Sequence, residues 1–137
     1  MEKLDARKRY TQMVLKQSFL ELLKEKPVSR ITVKEVCALA QLNRATFYAH
    51  YSDCFALMES IENELIEAFE KSLRYVNSFD VTALIEAIYD MVDQNQEACR
   101  VLILGNTSST VLMRMIALAK EDSIAYWRKE LPNASET

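Results

Sequence analysis

Between Arg30 and Leu57 the chain reads RITVKEVCALAQLNRATFYAHYSDCFAL, and this stretch leaves little choice of fold. Thr32 followed three residues later by Glu35 is a capping box, so a helix opens near Val33. Val33, Val36, Leu39 and Ala40 recur at helical spacing and form one apolar face, with Ala40 small enough for a second helix to cross close by. Gln41-Leu42 supplies a turn. Asn43 then caps a short second helix, Arg44 to His50, with Phe47 and Tyr51 directed inward. Ser52-Asp53 caps a third, longer helix, where an acid in the first turn suits the helix dipole. Two short helices joined by a tight turn, the second rich in hydrogen-bond donors, form the helix-turn-helix pattern.

The rest of the chain is helical by the same reasoning. One glycine and two prolines in 137 residues argue for long uninterrupted helices and against a β-rich fold. The first helix is predicted from Leu4 to Lys26, with Val14 or Leu15, Phe19, Leu22 and Leu23 as its apolar stripe and Pro27 as its stop. The fourth runs from Asp53 to about Asn77, with Phe55, Met58, Ile61, Leu65 and Phe69 inward and a glutamate-rich outer face. Asn77-Ser78-Phe79 is a break, and Asp80 caps a fifth helix through Val92. A short apolar helix, Ala98 to Leu104, closes on Gly105 as a C′ residue. A last helix, Thr110 to Leu131, is stopped by Pro132. The expected fold is all-α, about seven helices: a helix-turn-helix domain over residues 1–52 and a helical body over 53–137.

Thr46-Phe47-Tyr48-Ala49-His50-Tyr51, with the ITVKEVCALA run before it, is similar to the DNA-binding signature of the TetR/AcrR family of bacterial transcriptional regulators. The resemblance covers roughly a third of the chain. Two positions depart from the family pattern. The turn glycine is Gln41 here, and a left-handed non-glycine residue costs ~1 kcal/mol. The lysine at the head of the following helix, a phosphate contact in the family, is Cys54 here, so one anchoring charge is missing.

The charge distribution agrees with a reader on a separate body. The net charge of −3 divides into +5 over residues 1–51 and −8 over residues 52–137. Lys3, Arg7, Lys8 and Arg9 crowd the start, where an amino-terminal arm of such a domain lies against phosphates or a minor groove; a solvated end is the plain alternative. Arg44 heads the recognition helix and can fork onto guanine or hold a phosphate, with the hydroxyls of Thr46 and Tyr48 on its side. The resemblance implies backbone or base contacts for Thr46, Tyr48 and His50. Ala45 permits close approach to the groove floor, Lys34 is a further phosphate contact, and Thr32 with the amides it caps can face another. Each has a structural counterpart: Tyr48 can simply pack its ring, His50 can be a capping histidine, and Thr32 is a cap first.

Catalysis finds little support. The single histidine has no motif partner, there is no glycine-rich phosphate loop, and Cys37, Cys54 and Cys99 lack metal-ligand spacing. No cofactor is implied. Three cysteines without paired spacing, no signal peptide and no apolar run long enough for a bilayer point to the cytoplasm. Met58, Ile61, Met91, Met113, Tyr126 and Trp127 are candidates for lining a cavity that takes a small apolar ligand, although such a set is more often core. The resemblance implies a homodimer on double-stranded DNA. Family chains usually continue through two further helices, so this is either a truncated or a short member. The expected function is a dimeric repressor on an inverted-repeat operator, released by a ligand or partner. A protein-interaction module with a degenerate helix-turn-helix is the alternative that Gln41 and Cys54 favour.

Overall fold

The computed structural model describes residues 2–74, 80–105 and 110–130. Among these residues there are seven α-helices, a 3-10 turn, a π turn and no strand. The order is α1 (Glu2–Leu23), a 3-10 turn (Val28–Arg30), α2 (Val33–Ala40), α3 (Arg44–His50), α4 (Cys54–Ser72), α5 (Val81–Gln94), α6 (Gln96–Cys99), the π turn (Arg100–Leu104) and α7 (Thr110–Glu130). The all-α expectation holds. The chain separates into two compact units, Met1–Asn63 and Glu64–Thr137, a division that falls inside α4.

The first unit has an apolar centre. Leu15 and Phe19 of α1, Val36 of α2, Phe47 of α3 and Leu57 of α4 are fully buried, and Ile31, Cys37, Tyr51, Cys54 and Ile61 surround them. Each fully buried large side chain contributes about 1.5–3 kcal/mol by leaving water. Two positions expected inside lie outside. Leu39 and Phe55 are exposed because Val36 and Cys37 on α2, and Cys54, Leu57, Ile61 and Leu65 on α4, set the inward directions and leave those two turned away. The basic residues at the start of the chain belong to α1 itself, which begins at Glu2.

Local chemistry explains the helix starts. The Asp53 carboxylate accepts from the Ala56 amide at 2.7 Å, and that of Asp80 accepts from the Ala83 amide at 2.9 Å. In the second unit the buried Ser72 hydroxyl donates to the carbonyl of Ala87 at 3.3 Å, fastening the end of α4 to α5. Gly105 departs from expectation. Its φ of −84° is ordinary right-handed backbone, so it is no left-handed C′ residue. The need there is space: a Cβ would sit 3.0 Å from the Val101 carbonyl oxygen. The expected break at 77–79 and the stop at Pro132 lie outside the described residues.

Candidate nucleic-acid interface

The helix-turn-helix is assembled from caps. Thr32 begins α2 by accepting from the Glu35 amide at 3.1 Å, and the Glu35 carboxylate accepts in return from the Thr32 amide at 3.2 Å. The same carboxylate receives the Lys26 ammonium, which ties the segment after α1 to the start of α2. That ion pair, more than the Thr32 bonds, holds the Glu35 carboxyl below the usual carboxylate range, against the opposing effect of desolvation.

Helix α2 ends on Gln41, which stands in the left-handed region at φ 58°, ψ 45°. The Leu42 amide donates to the Cys37 carbonyl at 3.0 Å and the Gln41 amide to that of Ala38 at 3.4 Å, a complete Schellman closure. The turn therefore has the geometry that glycine would give, at a strain of ~1 kcal/mol. Asn43 then caps α3, its side-chain oxygen accepting from the Thr46 amide at 2.8 Å and from the Thr46 hydroxyl at 2.8 Å.

These bonds decide what α3 presents. Arg44, Ala45 and Tyr48 lie on its exposed outer side, and Tyr48 keeps 55% of its surface. Phe47 is the buried anchor underneath, edge-on to Tyr48 at 5.5 Å between ring centres. Thr46 does not share the Arg44 side: it is half-buried and its hydroxyl is turned back onto Asn43. His50 is half-buried too, with Nδ1 3.5 Å from the Gln12 side-chain nitrogen of α1. On α2, Thr32 and Lys34 are exposed. Arg44, Ala45, Tyr48, Lys34 and Thr32 thus belong to open surface, whereas Thr46 and His50 also fasten α3 in place.

Three structural partners escaped the sequence reading. Gln12 and Lys26 had no local signal, because their contacts cross 38 and 9 residues of chain. Cys54 is buried, so the position where the resembled signature places a lysine is filled here by a core side chain. Burial raises the thiol pKa values of Cys37, Cys54 and Cys99.

The set proposed for a ligand cavity is divided between the two units. Met58 is half-buried and Ile61 buried in the first unit, while in the second Met91 is buried and Met113 and Trp127 are exposed. The Tyr126 side chain lies outside the described residues. One groove near the end of α4 is lined by Glu67, Glu70, Lys71 and Arg74, a polar and mixed-charge surface. Among the described residues no helix is long and apolar enough to cross a membrane, and no group of three or more His, Cys, Asp or Glu is placed to hold a metal ion.

Over 59 residues the chain is 32% identical to the HTH-type transcriptional regulator YxbF of Bacillus subtilis (strain 168), itself uncharacterized. The matched part is 43% of this chain and 16% of that protein, so the chain spans a small fraction of its relative's length. No model of a known protein family matches the chain. The similarity supports a transcriptional regulator and agrees with the helix–turn–helix arrangement of α2 and α3.

Proposed function

We propose that the chain is a DNA-binding transcriptional regulator of TetR type, a dimeric repressor that occupies an inverted-repeat operator and leaves it when a ligand or partner acts on the helical body. The observation that carries the reading is the construction of α3. Its inner side is anchored by Phe47, its start is fixed by Asn43, and its outer side offers Arg44, Ala45 and Tyr48. A short, rigid helix of this kind fits a major groove, where an arginine can read guanine and small residues permit close approach. Lys34 and the capped start of α2 fit adjacent phosphates. Thr46 and His50 act mainly by positioning α3. The role is regulatory and not enzymatic in this reading.

Gln41, one of the two features that favoured an interaction module, closes the turn with ordinary hydrogen bonds. The test is selection of duplexes from a random pool at near-physiological salt, followed by titration of variants. Arg44→Ala and Tyr48→Ala are expected to lose ~1–3 kcal/mol of selective affinity each with the fold intact, and Lys34→Ala to weaken all sequences alike and flatten the salt dependence. Unchanged operator affinity in Arg44→Ala and Tyr48→Ala would remove the assignment, and a folded protein that enriches no sequence would return the interaction module.

A further inference from the structure

Helix α5 has two apolar sides, and its own unit uses one. Met91 is buried and Leu84, Ala87 and Ile88 are half-buried, whereas Val81, Ile85, Tyr89 and Val92 are exposed, Tyr89 at 69%. At 3.6 residues per turn the exposed four fall within an arc of about 80°, extending about 16 Å along the axis. The next arc carries Glu86, Asp90 and Asp93, all exposed. No lysine or arginine occurs between Arg74 and Arg100, so nothing within this segment offsets those acids.

Helix α7 has the complementary form. Val111 and Met115 are buried on one side, while Met113, Ile116 and Ile124 are exposed on another with Lys120 among them. That stripe reaches on to Trp127, about 21 Å by the helical rise. Glu121 and Asp122 stand well round the helix from it, so the charge within the stripe is positive. Contiguous exposed apolar stripes of this kind mark surfaces that bind something.

Charge selects the occupant. Two copies of α5 face to face would bring two acidic rows together, and two copies of α7 would oppose Lys120 to Lys120, both unfavourable. We propose that α5 of one copy docks on α7 of a second copy, packing the Ile85–Tyr89 stripe on the Ile116–Ile124 stripe and setting Lys120 against Glu86 and Asp90. In a two-fold pair the contact forms twice, α5 on α7 and α7 on α5. This rests on the dimeric part of the function proposed above and names the surfaces that make it.

A charge exchange on the full chain tests it, read by sedimentation equilibrium. Lys120→Glu alone, and Glu86→Lys with Asp90→Lys, each weaken self-association by about tenfold, and the three changes together restore it. Circular dichroism of each partial variant checks that it folds before its association is read. A combined variant as weak as the partial ones, or a dimer indifferent to either exchange, overturns the α5–α7 contact and leaves the dimer standing. A wild-type chain that stays monomeric at every concentration overturns the contact and the dimer together. Selective binding of a single half-site, measured on the same samples, tests the DNA reader independently of both.

Discussion

The two units of this chain are built on opposite economies of apolar surface. In Met1–Asn63 five large side chains from four helices are fully buried, and the short helices are fastened by a reciprocal cap at α2 and an Asn43 cap at α3. In Glu64–Thr137 two, Leu65 and Val111, are among the fully buried large side chains, and the outer sides of α5 and α7 carry Val81, Ile85, Tyr89, Met113 and Ile116 in the open. A helix of seven residues has little stability of its own, so a unit that must hold α3 still needs a closed core and complete caps. A unit that meets a partner needs the reverse, an apolar side left over after its own packing.

The sharpest way to break this contrast is to remove an anchor from each unit. Phe47→Ala is expected to cost ~3–5 kcal/mol in denaturant unfolding, because it empties the space beneath α3. Ile85→Ser, measured where the chain is monomeric, is expected to change stability by no more than ~0.5 kcal/mol, as for an ordinary surface position. Equal losses in the two would mean that α5 is covered within the monomer.

A smaller effect probes the caps. Glu35 has a lowered carboxyl pKa in the folded chain, chiefly through its bond to Lys26. The stabilisation this gives is complete above the unfolded carboxylate value of ~4.3 and is lost as the pH falls through the lower folded value. Glu35→Gln should therefore melt at lower temperature than the wild type at neutral pH, and the gap should narrow in acid. A gap independent of pH would assign the effect to shape rather than charge.

The smallest expected change has the opposite sign. Gln41→Gly removes the cost of a side chain in the left-handed region and gives back part of it in backbone entropy, for a net gain of about 0.5 kcal/mol. Thermal unfolding reads it directly, and a loss of stability would mean that the Gln41 side chain makes contacts that outweigh its strain.

Much of the reader was legible in advance because its signals are local. Thr32, Asn43, Asp53 and Asp80 each cap a helix within three residues of themselves, and the cap depends on side-chain type and spacing alone. The errors came where direction rather than helicity mattered. Leu39 and Phe55 sit at plausible apolar spacing, yet their neighbours Cys37 and Cys54 take the inward positions. Thr46 looked like a free hydroxyl beside Arg44, and the Asn43 cap turns it back.

The sequence by itself therefore determined the capped starts of α2, α3, α4 and α5 and the left-handed turn at Gln41, which follow from neighbours a few residues apart, and the basic-to-acidic division of the chain. It did not determine that the stretch expected as a helix from Ala98 to Leu104 is α6 from Gln96 to Cys99 followed by a π turn. Only the tertiary structure decided which side of each helix is inside, that Lys26 holds Glu35 and Gln12 meets His50, and that α5 and α7 keep apolar sides uncovered. Those outcomes depend on elements far apart in the chain competing for the same limited interior, and that competition is settled in three dimensions.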